Sequence, residues 1–359
     1  MTKIINCHIH TFTTRHTPRY FPFKAAVAFR YAPFLLRWVR NAMRWHTSAH
    51  SYLLRLEAFH DTGRRPTQRE VLREALHYYP RDAKFVVLPL DMEPIGHGPV
   101  EIGIRGQHDE LHRLTQDGVY GPRVIPFASV HPATPGAAAE FRRCVETLGF
   151  RGLKVYPKLG YAPDHPLLME EIYPLCVERG LPVISHCSRG GIYRKGWDQR
   201  RRDEVSGPEA WIPVMEAHPE LRVCLAHFGG DADWRSYIND GFDPDDPDAR
   251  RKNWVWQIND MICRGDFPNL WTDISYTIFK FDEYAPLLRI FLQERKLGER
   301  VLFGSDFYMT RQERLSEKAI SIRLRDTLGD DHFRQIAETN PRVFLALPPI
   351  DAEENAAVA

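Results

Sequence analysis

Eight short apolar runs recur along the chain, each separated from the next by an amphipathic stretch. The first ends at Cys7–His10, and the others are KFVVLPLD (84–91), RVIPFASVHP (123–132), RGLKVYP (151–157), LPVISHCS (181–188), LRVCLAHFGG (221–230), NLWTDIS (269–275) and RVLFGSDF (300–307). They are continuous rather than alternating, as expected for strands covered on both faces. The intervening stretches predict helices over 67–79, 107–117, 136–148, 166–180, 208–218, 253–264, 282–296 and 310–328, with a further one over 331–346. Gly149–Phe150 and Gly180–Leu181–Pro182 punctuate returns from helix to strand. Eight strand-then-helix units predict an α/β fold, a (β/α)8 TIM barrel forming a single domain over 1–350. The alternative is an open doubly wound sheet. No Gly-x-Gly-x-x-Gly follows the first strand, which weakens a dinucleotide-binding version of it.

One segment breaks the rhythm. Residues 13–66 separate the first strand from its helix, far longer than a usual strand-to-helix loop. The segment is rich in aromatics and arginine and has helical spacing over 33–45. It reads as a helical lid over the barrel mouth, with a membrane-surface or subunit-contact element as the alternative. Smaller insertions follow the fifth strand (189–206) and the sixth (231–252). All three fall after strands, on the face where barrels place active sites. The polar tail over 351–359 is expected to be disordered.

Composition narrows the class. Hydrophobic residues make up 43% of 359 residues, enough for a large core, and 48 Lys plus Arg against 47 Asp plus Glu leave the net charge near zero. This balance argues against a general nucleic-acid binder and against stable membrane association. Six widely spaced cysteines without Cys-x-x-Cys read as free thiols of a reducing compartment. No basic-then-apolar leader and no run of eighteen apolar residues is present, so a cytoplasmic globular protein is expected, as a monomer or a homo-oligomer.

The strand ends carry the chemistry. The first ends with His8 and His10, the fourth carries Lys154, the fifth ends with His186, the sixth with His227 and the eighth with Asp306. His8 and His10, two apart, project to one face of their strand. A closed barrel converges the other strand ends on the same centre. Several imidazoles and a carboxylate around one point form a ligand set for a divalent metal such as zinc. An Asp beside such a metal can also take a proton from a water whose pKa the cation has lowered. Each residue alone has an ordinary reading: His186 and His227 as strand-end histidines bonded to backbone, Asp306 as a helix N-cap, Lys154 as an ion-paired lysine. Their coincidence at the same end of successive strands favours the site.

These positions resemble the amidohydrolase superfamily, in the branch that includes nonoxidative decarboxylases and lactonases. The matching stretches are HIH (8–10), GLKVYP (152–157), ISHCS (184–188), LAHFGG (225–230) and FGSDF (303–307), with ETNPRVFL (338–345) like the helix after strand eight. The resemblance implies that His8, His10, His186 and Asp306 hold a first metal, and that His227 polarises substrate or holds a second. It implies one zinc ion or two, with manganese as the alternative metal. Lys154 is similar to a strand-four lysine that dihydroorotases carboxylate to bridge two ions. The implied function is hydrolysis of a C–O or C–N bond (amide, ester or lactone) by metal-activated water. Asp306 is then the general base and His227 stabilises the oxyanion. The alternative is a nonoxidative decarboxylase or hydratase of a small aromatic or unsaturated acid.

The loops beyond the strands supply cations and aromatics. Arg189, Arg194, Lys158, Tyr161 and Tyr308 are the candidate substrate contacts, with Tyr276 and Phe279 after strand seven. An arginine fork grips a carboxylate in two places, so a small carboxylate-bearing substrate is expected. His131 reads as a turn before Pro132, and Asp273 as a carboxylate that orients His227 or a lysine.

Overall fold

The structure, a computed structural model, describes residues 2–239, 242–277, 281–308 and 317–348. Its strands are β1 (Ile5–Ile9), β2 (Lys84–Val87), β3 (Val124–Pro126), β4 (Ala128–Ser129), β5 (Leu153–Val155), β6 (Val183–Ser188), β7 (Val223–Gly229), β8 (Leu270–Asp273) and β9 (Val301–Leu302). All pairings are parallel, in the order β1-β2-β3 and then β4 through β9. The run at 123–132, read as one strand, is broken at Phe127. Pro126 has no N–H to continue a ladder, and the chain changes partners there: Phe127 N bonds Val87 O, while Ala128 N bonds Gly152 O. Counting β3 and β4 as one stave gives eight. The ring closes through backbone bonds from Cys7 N to Phe303 O (2.8 Å), Asp306 N to His8 O (2.8 Å) and His10 N to Phe307 O (3.2 Å). The protein is a TIM barrel.

Two apolar layers follow from the two-residue period of the strands. Ile5, Val86, Ile125, Ile184, Cys224 and Leu302 fill an inner cluster, capped by Phe344 and Leu345. Val87, Leu153, Val183, Leu225 and Val301 face outward onto the helices. A register shift between Asn6 and Ile9 breaks this alternation in β1. Cys7 joins the inner cluster, Ile9 the outer one, and the His8 N–H bonds the Asn6 side chain (3.2 Å). Eight of the predicted helices appear within a few residues of their expected bounds, for example Ile104–Thr115 and Trp254–Arg264. The start of the helix expected over 310–328 and the tail 351–359 lie outside the described residues.

The insertion is helical, with helices at Val27–Tyr31, Pro33–Ala42 and Thr47–Gly63. Leu36 packs with Leu53 and Leu56, so the second of these lies against the third. The third reaches the barrel through Phe59, whose ring meets Phe12 (6.2 Å) and Tyr308 (5.3 Å). Phe12 in turn lies 5.7 Å from the His10 ring. The segment therefore sits on the site's own wall.

Candidate metal centre

The first donor group is His8, His10 and Asp306, whose ligand atoms lie within 4.8 Å of one another. Close packing of two strands makes this possible. A side chain on Gly304 would come within 2.7 Å of the His8 Cβ, so only glycine lets β1 approach the FGSD turn. Asn6 ties the same strands together, accepting from Ser305 N (3.1 Å) and donating to Ser305 Oγ (2.8 Å). Asp306 and His227 have φ near +56° and +69°, and Tyr276 and Tyr308 are also left-handed. Such backbone costs about 1–3 kcal/mol per residue and gathers at functional sites. Here it marks the ends of β7, β8 and β9.

Hydrogen bonds decide which ring nitrogen offers a lone pair. His8 Nδ1 donates to Asp273 Oδ2 (2.8 Å), and His10 Nδ1 donates to Leu88 O (2.7 Å). Both rings are thus left with Nε2 as the ligand atom, the arrangement that orients metal-binding histidines. His10 Nε2 lies 3.4 Å from Asp306 Oδ1. His8 Nε2 lies 3.3 Å from Lys154 Nζ. Donors at this spacing fit one divalent cation.

His186 is placed elsewhere than the four-ligand expectation put it. Its Nδ1 faces His227 Nε2 at 3.0 Å, and its Nε2 faces Gly190 O at 3.1 Å. A carbonyl only accepts, so Nε2 carries the proton and Nδ1 a lone pair. His227 Nδ1 likewise faces Ser275 O (3.1 Å), leaving Nε2 with a lone pair. In these tautomers two lone pairs meet at 3.0 Å, an arrangement that a bound cation would stabilise. In that tautomer His227 presents a lone pair suited to a ligand or a proton acceptor, whereas the expected oxyanion contact needs a proton on Nε2. Tyr156 stacks on His186 (4.1 Å, 8°) and fixes its plane.

Electrostatics agree with metal ligation. Burial lowers His8 to about 4 and His227 to about 3, with neighbouring Lys154 or His8 pushing the same way. Burial also lowers His10 and His186. All four imidazoles are therefore neutral near pH 7 and free to ligate. Burial brings Lys154 down to about 8 against the pull of Asp273 and Asp306. It pushes the Asp306 carboxyl up, with Lys154 opposing. For Asp273 burial acts upward too, but His8 and the His227 N–H outweigh it and hold it well below the usual carboxylate range.

Asp273 does more than orient His227. It also accepts from His8 Nδ1, from Ser275 N (2.9 Å) and from the Ser275 hydroxyl. Ser275, Tyr156 and Asn6 escaped the sequence reading. The Asp-x-Ser spacing at the end of β8 was the available signal.

The predicted substrate contacts separate into two groups. Arg189 is already spent: it donates to Asp233 (2.9 Å) and Asp203 (2.8 Å) and stacks on Trp254 (4.3 Å). Lys158 Nζ donates to the carbonyls of Ser188, Arg189 and Gly190, bracing that loop. The Arg189 charge is matched by two carboxylates and all three Lys158 N–H donors are taken by carbonyls, so neither is placed as the expected substrate contact. Tyr161 is buried, its hydroxyl accepting from Tyr156 N (2.8 Å). Tyr308 is buried between Phe12 and Phe59, behind the site rather than in it. Arg194 is half-buried beside Gly160 and His131, and among the described residues it pairs with no carboxylate. His131 is a turn residue as expected, its ring nitrogens meeting Leu159 O and Ala133 N. Phe279 lies outside the described residues.

Two further groups of possible ligands exist among the described residues: His8 with His227 and Asp273, which shares His8 with the first, and His108, Glu140 and Cys144, which is structural. His108 Nε2 accepts from Ser129 N (3.1 Å) and Nδ1 donates to Glu140 (2.8 Å), so no lone pair remains. Burial also pushes the Cys144 thiol far above its ordinary value.

A closed parallel barrel with histidines and an aspartate converging at its strand ends defines a metal-dependent TIM-barrel enzyme. The amidohydrolase family profile matches residues 5–347. The chain belongs to the amidohydrolase family. No curated protein sequence matches it significantly. Solved structures with the same fold include an uncharacterized TIM-barrel protein from Bordetella bronchiseptica (18% identity, TM-score 0.54, covering 96% of this chain and 98% of that one). Another is 5-carboxyvanillate decarboxylase from Novosphingobium aromaticivorans, solved with manganese (16%, 0.54, 96% and 96%). A third is 4-oxalomesaconate hydratase from Rhodopseudomonas palustris (16%, 0.53, 99% and 98%).

Proposed function

We propose that this protein hydrolyses a C–O or C–N bond (amide, ester or lactone) in a small carboxylate-bearing substrate, using two divalent ions. One observation carries the reading. Lys154 Nζ stands 3.3 Å from the ligand nitrogen of His8, and its charge also acts on the facing pair His186 and His227. His8, His10 and Asp306 would hold one ion and His186 with His227 the other. An ammonium between two cations is untenable, but a carboxylated lysine is an anion that serves both. Neutral Nζ attacks carbon dioxide, forming an N–C bond and releasing one proton, and burial to about 8 makes the neutral form accessible.

Bound ions would polarise the scissile carbonyl and lower the pKa of water. Asp306 takes the proton from the attacking water and returns it to the leaving group. Arg194 is the cation still available for a substrate carboxylate. Zinc suits the imidazole-rich set, and manganese, present in the bacterial decarboxylase above, is the alternative.

A second reading is nonoxidative decarboxylation or hydration of a small aromatic or unsaturated acid with one ion. It is supported by the activities of the two enzymes of this fold, and by Lys154, which as an ammonium would pair with a substrate carboxylate. Metal analysis of the purified protein, with 13C NMR in labelled bicarbonate, separates the two. Two ions and a carbamate resonance lost in Lys154→Ala are expected. One ion and no carbamate, with carbon dioxide released from an aromatic acid, would establish the second reading instead.

A further inference from the structure

The near-zero net charge conceals a strong polarity. Residues 1–56 hold nine Lys and Arg and no acid, so the remaining 303 residues hold 39 basic against 47 acidic. The basic part includes most of the insertion, up to Leu56, and its outer helix Pro33–Ala42 is apolar on two sides. One side, Leu36 with Val39, is buried against Leu53 and Leu56. The other points away from the protein. Phe34 and Trp38, four apart, share a face of this helix, and Tyr31 and Trp45 stand just before and just after it. They are 71%, 67%, 70% and 80% exposed, the four most exposed aromatics among the described residues.

Cations flank these aromatics. Arg37 is exposed beside them, and Arg44 lies over the Trp45 ring at 4.8 Å. Among the described residues Glu57 is the carboxylate that reaches this helix, and it is shared by Arg37 and Arg40. Exposed tryptophan and phenylalanine beside arginine, on a helix lying flat on its own domain, are the features of an interfacial helix. No described helix is long and apolar enough to cross a membrane.

We propose that this face docks on an anionic lipid surface. Charge complementarity selects that occupant. A two-fold contact between copies would set the patch against itself and oppose like charges. Single-stranded nucleic acid also suits arginine and aromatics, but Leu35 and Leu54, exposed on the same segment, offer nothing to a base and suit acyl chains. The acidic remainder of the chain turns away from such a surface and so orients the protein on it. The helix Thr47–Gly63 connects this face to Phe12 and Tyr308 at the site's wall, which puts the docked surface close to the barrel mouth.

Flotation of the full-length protein with vesicles tests the proposal. Binding is expected to vesicles of 30% phosphatidylserine in phosphatidylcholine, and not to phosphatidylcholine alone or in 0.5 M NaCl. Each cation near such a surface contributes about fivefold, so Arg37→Gln with Arg44→Gln should weaken partitioning by about 25-fold. Trp38→Ser with Trp45→Ser should abolish it. A control pair, Ile290→Ser with Val343→Ser, exposed at 62% and 56% elsewhere, should bind normally. Unchanged circular dichroism and metal content verify that the variants fold. No vesicle binding, or equal binding to neutral vesicles, overturns the proposal. So does a dimer, seen in sedimentation, that Trp38→Ser dissociates and that does not bind vesicles. Displacement from vesicles by a single-stranded oligonucleotide also overturns it.

Discussion

Replacing Asp273 by asparagine should weaken metal binding without touching a ligand. The Asp273 carboxylate accepts from His8 Nδ1 at 2.8 Å, and this bond is what leaves His8 Nε2 with its lone pair. Its other oxygen accepts from His227 N and Ser275 N, both at 2.9 Å. Asparagine can keep those backbone bonds with its carbonyl oxygen. Its NH2 then faces His8 Nδ1, which must accept instead of donate. The His8 proton moves to Nε2 and the ligand is lost, or the ring turns away. Losing such an outer partner costs about 10–100-fold in metal affinity, equivalent to about 1.4–2.8 kcal/mol. Competition titration of Zn2+ against a chromophoric chelator measures this directly, with a thermal melt of the metal-free protein as the control for folding. Wild-type affinity in a folded Asp273→Asn protein would refute the tautomer argument, and with it the assignment of Nε2 as the His8 ligand atom.

Four other outcomes follow from the geometry. Lys154→Ala should reduce the metal content from two ions to one, and a short carboxylate such as propionate should restore the second, as read by mass spectrometry. Arg194→Ala should raise KM at least tenfold for carboxylate substrates while leaving metal content unchanged. By contrast, Arg189→Ala should lower the melting temperature, because its bonds to Asp203 and Asp233 are charge-assisted, worth about 1.5–3 kcal/mol each when buried. The fourth concerns acid stability. Burial opposes ionisation of Glu140, but His108 and Arg143 outweigh it and hold the carboxyl at about 2. A folded pKa below the unfolded value near 4.3 gives stability that is present above that value and lost as pH falls toward 2. Urea unfolding of Glu140→Gln should therefore show a weaker loss of stability between pH 4.5 and 2 than the wild type, and an identical slope would remove Glu140 from the account.

The barrel and the side chains at its strand ends were legible in the chain because both rest on short-range regularities. Continuous apolar runs, helical spacing and the position of His8, His10, His186, His227 and Asp306 at run ends depend on neighbours a few residues apart. What each donor does depends on partners far along the chain. His8 is set by Asp273, 265 residues away, and His186 by His227, 41 residues away, so the division into two donor groups appears only once the barrel closes. The same distance dependence undid the expectations for Arg189 and Lys158. A cation in a loop looks available until the fold brings Asp233, or the carbonyls of residues 188–190, against it. The break at Phe127 was readable in principle, since Pro126 lacks a donor, but the change of strand partner was not. Sequence by itself determined which chemical groups stand at the mouth of the barrel. Tertiary structure decided which of their atoms carry protons, which charges are already matched, and which face of the insertion is left exposed, because these are set by contacts between segments that local pattern cannot encode.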